Sequence, residues 1–360
     1  MSNAPAVLAV IRRAGPLSRA VIAERTELSM PTVSRQIAAL TDAGLVREAP
    51  ERASSGSLGR PRVPVDINED LVAACGVHIG VRTVTYGLAD LRGRLIASER
   101  IPTPDGGPED AIAHIVGRLR AFLRKWPQRR VVGLGLATGG RVDSTRGLVH
   151  HDRLGWHHVP ARDLAERLVG LPVRLDGHVP AMARAELLFG EGKQFDSLLY
   201  FYARQVVGVA IVVGGVLHRG PGWSGTIAHL PTGGDVGCPC GRTGCLEVTV
   251  NAQTDQGRFA ERAATIGRAV AHLRDIVNPA QVVLGGQAIT GAPEHQTTLL
   301  HSFAATTALP GADVVTLTRF GPDVQAVAAC TTVLGDVYAH PLRFVAQNGK
   351  KEPNAAFGSF

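Results

Sequence analysis

Apolar residues in the first 67 positions recur at helical spacing, then give way to two short alternating runs. Ala4 to Arg13 reads as a short helix stopped by Gly15-Pro16. Ser18 is placed to cap a second helix through about Thr26, with Ile22 and Ala23 on its inner face. Ser29 caps a third, Pro31 sits in its first turn where a missing N–H costs nothing, and Gly44 ends it. Val33, Ile37 and Leu40 point inward at helical spacing, leaving Thr32, Ser34, Arg35 and Gln36 toward solvent. Two strands are predicted at Leu45–Arg47 and Val63–Ile67, joined by a Ser/Gly-rich stretch from Ala53 to Gly59.

From Leu71 the pattern becomes α/β. Strand-like stretches at Ala73–Ile79, Val84–Asp90 and Leu95–Ile101 precede a helix near Glu109–Trp126 and a buried strand at Val131–Ala137. The same order returns at Ser197–Ala203, Val206–Val213 and Val216–Leu217, then helix Ala263–Ile276 and strand Gln281–Leu284. A helix around Asp323–Tyr338 closes the domain, and the tail at 346–360, without apolar periodicity, is expected to be mobile.

At 360 residues, 45% hydrophobic and 19% charged, the chain has the composition of an ordinary globular protein with room for several cores. The longest apolar run, Val206–Leu217, is broken by glycines and too short to span a bilayer. No charged-then-apolar leader opens the chain, so the expected location is the cytoplasm, against the bacterial nucleoid. Charge is concentrated at the start. The first 65 residues hold nine arginines, no lysine and five acids, so +4 of the total +7 lies there.

Helix, tight turn and helix, with polar and cationic residues opening the last helix, is an arrangement that reads the DNA major groove. Arg60 and Arg62 flank Pro61 next to Gly59, and a rigid arginine of that kind suits a narrow minor groove. The candidate DNA contacts are Thr32, Ser34, Arg35, Gln36, Arg60 and Arg62. The competing reading is a small helical bundle used for dimerisation.

Cys238, Cys240 and Cys245 fall within eight residues, and His229 lies nine positions upstream of the first. Three thiolates and an imidazole satisfy a tetrahedral Zn2+, and the closed ligand set implies a structural ion. Pro239 stiffens the knuckle while Gly241 and Gly244 let it fold back. The alternative is a disulfide or inert buried thiols, although three clustered cysteines leave one unpaired.

Ile22-Ala23 through Leu28-Ser29 and Thr32-Val33-Ser34-Arg35 resemble the winged helix-turn-helix of bacterial repressors. With the Gly-Arg-Pro wing and the cysteine cluster behind it, the chain from Ile22 to about Leu342 resembles a ROK-family transcriptional regulator. The resemblance implies an α/β fold: an N-terminal winged helix-turn-helix over 1–67, then a two-lobed actin-like ATPase and sugar kinase domain, RNase H-like, over 71–345. Lobe one would take about 71–190 plus the C-terminal helix, and lobe two about 195–322. The stretch between Glu247 and Gly267 is shorter than the helical excursion that the family inserts there, which implies a trimmed second lobe with altered oligomer contacts.

Kinases of this family need two glycine-rich phosphate turns and a carboxylate base. At the matching positions this chain has His78-Ile79-Gly80-Val81 for Asp-x-Gly-Gly and Arg204-Gln205-Val206 for Gly-Thr-Gly. Gly177-His178 replaces the Asn-Asp pair that supplies the base. The expectation is therefore a regulator and not an enzyme, with no catalytic residues. An active sugar kinase carrying a DNA-binding module, or a ligand-independent interaction protein, are the alternatives.

Regulators of the family bind a sugar or sugar phosphate, and the resemblance assigns effector contacts to Gly139, Gly140, His178, His229 and Glu247. The Glu-x-x-His element reads Thr226-Ile227-Ala228-His229, so part of the hydroxyl-binding set is missing. With His150, His151, His157 and His158 nearby in sequence, the effector class is sugar-like or anionic, or these histidines are simply solvated loop residues. Expected partners are double-stranded operator DNA and a second copy of the chain, in a homodimer or higher homo-oligomer, with no membrane.

Overall fold

A computed structural model describes residues 2–52, 63–220, 226–291 and 293–343. The chain divides into two compact units: 1–177 with the described residues from Gln325 onward, and His178–Val324.

Unit one opens with α1 (Ala4–Ala14), α2 (Arg19–Thr26) and α3 (Met30–Asp42), followed by antiparallel strands β1 (Val46–Glu48) and β2 (Val65–Ile67). Ser18 Oγ accepts the Val21 N–H and Ser29 Oγ that of Thr32, each at 3.4 Å, so both predicted caps form. Val7, Leu8, Ile11, Ile22, Val33, Ile37, Leu40 and Val65 make the core of this head. Gly44 ends α3 at φ +71, where a β-carbon would also meet Leu71 Cδ2 at 2.7 Å.

The rest of unit one is built on β3 (Val72–Ile79), β4 (Thr83–Asp90), β5 (Leu95–Pro102), α4 (Pro108–Leu123) and β6 (Arg130–Thr138). Then come β7 (Arg141–Asp143), β8 (Leu148–His151), β9 (Trp156–Val159), α5 (Ala161–Val169) and β10 (Val173–Gly177). The main sheet runs β10-β6-β3-β4-β5, with β3, β6 and β10 parallel and β4 and β5 antiparallel. Helices α4 and α5 bury Ile112, Ile115, Leu119, Ala165 and Val169 against it.

Unit two repeats the plan. It contains α6 (His178–Phe189), β11 (Leu198–Ala203), β12 (Val207–Val213), β13 (Val216–Leu217), α7 (Leu246–Asp255), α8 (Phe259–Val277), β14 (Gln281–Gly285), α9 (Gln287–Thr290), α10 (Gln296–Thr306) and β15 (Val315–Leu317). Its sheet order is β13-β12-β11-β14-β15, again with an antiparallel meander joined to a parallel half. Helix α7 passes to α8 within a few residues, through Gly257 at φ +70.

Helix α11 (Val324–Ala339) then packs on the sheet of unit one. Gly76 pairs with Gly87 on one side and Gly135 on the other, so three adjacent strands present a bare patch. A β-carbon at Gly135 would stand 1.9 Å from Ala329 O, and one at Gly76 2.3 Å from Cys330 N. The helix backbone therefore rests directly on the sheet.

Candidate nucleic-acid interface and metal centre

At the start of α3 the side chains divide by what they already touch. Ser34 and Arg35 are exposed. Thr32 is half-buried, and its hydroxyl lies 2.9 Å from that of Ser29, so it completes the cap. Gln36 is half-buried as well and accepts a hydrogen bond from Ser2 Oγ at 3.4 Å. Periodicity put all four toward solvent; it could not reveal that capping and the N-terminal arm occupy two of them. Arg60 and Arg62, with the predicted wing tip, lie outside the described residues.

Arginines of lobe one hold the head from below. Asp66 of β2 is buried, and its carboxylate accepts a hydrogen bond from Arg92, which also pairs with Glu69. Arg130 donates to the Ala43 carbonyl at the end of α3. A boundary near residue 67 is thus crossed by charged contacts that no local pattern announces; only the oddity of an acidic residue in an apolar strand, Val65-Asp66-Ile67, hints at a partner.

The cysteine knuckle in unit two is a narrow hairpin. Cys238 N–H donates to Arg242 O, Gly241 N–H to Cys238 O and Gly244 N–H to Val236 O. Gly244, at φ +63, passes so close to Gly234 that a β-carbon would fall 2.3 Å from its carbonyl oxygen. Leu246 N–H then bonds Leu230 O and Glu247 N–H bonds Ala228 O, which ties the knuckle to the segment bearing His229. The ligand atoms of His229, Cys238, Cys240 and Cys245 all lie within 4.8 Å of one another.

Two of those separations test the metal reading. Cys240 Sγ to Cys245 Sγ is 3.6 Å and Cys238 Sγ to His229 Nδ1 is 3.5 Å. A tetrahedral ion with bonds of about 2.3 Å to sulfur and about 2.05 Å to nitrogen requires about 3.8 and about 3.5 Å. The thiols are free and too far apart for a disulfide, whose bond is about 2.05 Å. A hydrogen bond from the Arg242 side chain, with another from its backbone, pushes the Cys240 thiol down toward the thiolate, while burial pushes its neighbour Cys245 up. The cluster can hold a metal ion.

Of the residues assigned to an effector, Gly139 and Gly140 follow β6 in unit one, where Gly140 has φ +73 and its Cα approaches the His150 carbonyl. His178, His229 and Glu247 belong to unit two. The His178 ring lies 5.1 Å from that of Tyr202, and Glu247 Oε2 accepts the Val207 N–H at 3.0 Å. That carboxylate is thus tied to the residue that follows the turn Arg204-Gln205-Val206, itself closed by Arg204 N–H to Val206 O at 3.0 Å. His78, in the stretch matched to the family's first phosphate turn, is only 3% exposed at the end of β3.

Among the described residues no helix is long and apolar enough to cross a membrane. Residues 74–254 match the ROK family and residues 6–49 a helix-turn-helix domain. The chain is 37% identical to the transcriptional regulator Rv0485 of Mycobacterium tuberculosis, over 97% of this chain and 88% of that one. It is 27% identical to the xylose repressor of Bacillus spizizenii over 68% of this chain and 65% of that protein. In fold it is similar to a ROK-family transcriptional regulator homologous to Escherichia coli MLC (TM-score 0.80, 21% identity, 96% of this chain and 99% of that one). It is also similar to a ROK hexokinase of Thermus thermophilus (TM-score 0.65, 26% identity, 74% and 99%). The chain belongs to the ROK family and carries that domain behind a helix-turn-helix, as ROK-family transcriptional regulators do.

Proposed function

We propose that this regulator is a dimeric repressor that binds operator DNA through Ser34 and Arg35 of α3, with Thr32, Gln36, Arg60 and Arg62 completing the contact. The observation that carries the reading is the exposed Ser34-Arg35 pair on a helix capped by Ser29, in a helix-turn-helix set before a ROK domain. One short helix reads too few bases for a specific site, so a symmetric pair of heads about 34–36 Å apart supplies the affinity. Selection of the full chain against random duplex DNA should enrich two half-sites about one helical turn apart. Recovery of unenriched DNA would overturn the proposal.

Zn2+ is the ion proposed for His229, Cys238, Cys240 and Cys245, supported by the sulfur and nitrogen spacing. It would lock the knuckle and hold His229 and Glu247 in place. His178 and Glu247 are the proposed contacts to a sugar-like or anionic effector, a class supported by the xylose repressor among the relatives. Phosphoryl transfer is not part of the proposal, because histidines stand where a kinase needs carboxylates at 78 and 178. The similarity to a ROK hexokinase makes ATP turnover across a panel of sugars the direct test of that second reading.

A further inference from the structure

The small sheet β7-β8-β9 brings together histidines that the regulator reading leaves unused. Strand β8 ends with His150 and His151, a single helical turn from Asp152 to Leu154 follows, and β9 carries His157 and His158. In a regular strand, neighbouring side chains point to opposite faces. Here both rings turn to the same residue: His157 lies 5.0 Å and His158 5.3 Å from the His150 ring. The backbone makes this happen at His158, whose φ of +55 is a left-handed conformation that a non-glycine residue adopts at a cost.

The donor atoms of His150, Asp152 and His157 all lie within 4.8 Å of one another, with His150 Nε2 and Asp152 Oδ1 at 2.9 Å. His150 Nδ1 is buried without a hydrogen-bond partner, although a ring nitrogen in that position should have one. Two imidazoles and a carboxylate converging within that distance offer a cation three donor atoms at one point.

We infer that His150, Asp152 and His157, with His158 beside them, form a second metal site that takes a divalent transition ion and no thiolate. Two or more imidazoles with one carboxylate suit Zn2+, Ni2+, Co2+ or Cu2+ and disfavour Mg2+ and Ca2+. The site is separate from the cysteine knuckle, which lies in the other unit. Its reach is short but pointed: Gly140 packs on the His150 carbonyl and on His151, so an ion that repositions His150 is felt at the Gly139-Gly140 turn.

Untagged full-length protein, stripped with chelator and dialysed against Co2+, tests the assignment by elemental analysis and absorption spectroscopy. The wild type should hold two equivalents of cobalt per chain. His157→Gln, at an exposed position that leaves folding intact, and His150→Asn should each hold one and keep the thiolate-to-cobalt charge-transfer bands. Cys240→Ser should lose those bands yet retain a nitrogen- and oxygen-ligated cobalt spectrum. A wild type whose cobalt is ligated by thiolate alone, or a second equivalent that survives in both histidine variants, overturns the site. Neither result depends on DNA binding.

Discussion

The guanidinium of Arg12, in the first helix of the DNA-binding head, lies 4.9 Å from the centre of the Tyr338 ring on the last helix of the ROK domain. Burial lowers the Arg12 pKa, and the Tyr338 hydroxyl donates to the Leu91 carbonyl. A cation over an aromatic face contributes about 0.5–2 kcal/mol, more when both are desolvated. Replacing Tyr338 with leucine should therefore loosen the head from the lobe beneath it. Hydrogen exchange checks this: amides of α1 to α3 should lose protection while those of β11 and β14 keep theirs.

Arg35→Ala should reduce affinity for a selected operator by about 1–3 kcal/mol and relax the preference at one base position. Thr32→Ala acts differently, because that hydroxyl lies 2.9 Å from the capping hydroxyl of Ser29 and supports it. Beyond any loss of its own DNA contact, it should lower the stability of the head by about 0.5–1 kcal/mol, read by urea unfolding. Binding titrations on wild-type and single-base-changed duplexes separate the two.

Cys240→Ser removes one of four ligand atoms from the knuckle. One equivalent of metal should be lost in elemental analysis, and melting of unit two should move to lower temperature. The helix proposed to contact DNA is in unit one, so the intrinsic DNA affinity of the folded head should be unchanged.

Gly135→Ala places a methyl group against the Ala329 carbonyl, where only 1.9 Å is available. Helix α11 must lift from the sheet, at a cost of about 3 kcal/mol or more. Gly117→Ala is the control: nothing lies within 4 Å of that position in α4, so alanine should stabilise the helix by about 0.5–1 kcal/mol. Urea unfolding of both variants reads the contrast.

Burial pushes the Glu186 carboxyl up to about 7 from an ordinary 4.5, against hydrogen bonds donated by Thr318 and by the Glu191 N–H. The folded value lies above the unfolded one, so the protonated form favours folding. That contribution is complete below the unfolded value and is lost as pH rises through the folded one. The loss amounts to about 3 kcal/mol by the usual conversion. Glu186→Gln should flatten the pH dependence of urea unfolding between roughly pH 5 and roughly pH 8.

Much of this molecule was legible from local pattern. The caps at Ser18 and Ser29, the inward row Val33, Ile37 and Leu40, and the repeated order of strands all appear where periodicity predicts them. The cysteine cluster was equally plain, since its thiols sit close in the chain and its glycines occur where the hairpin needs positive φ. Other features left weaker traces. The strands β7 to β9 are too short for alternation to register, and Asp66 reveals its purpose only beside Arg92.

Local periodicity decides which residues become helix or strand and which face each element buries, because those choices depend on neighbours a few positions away. Everything that joins distant segments waited for the folded chain. Arg12 met Tyr338, the three glycines of one sheet met α11, and His157 and His158 turned together toward His150. Such contacts are set by chain reversal and close packing, whose energies come from residues far apart in sequence, and no stretch of the chain read alone contains them.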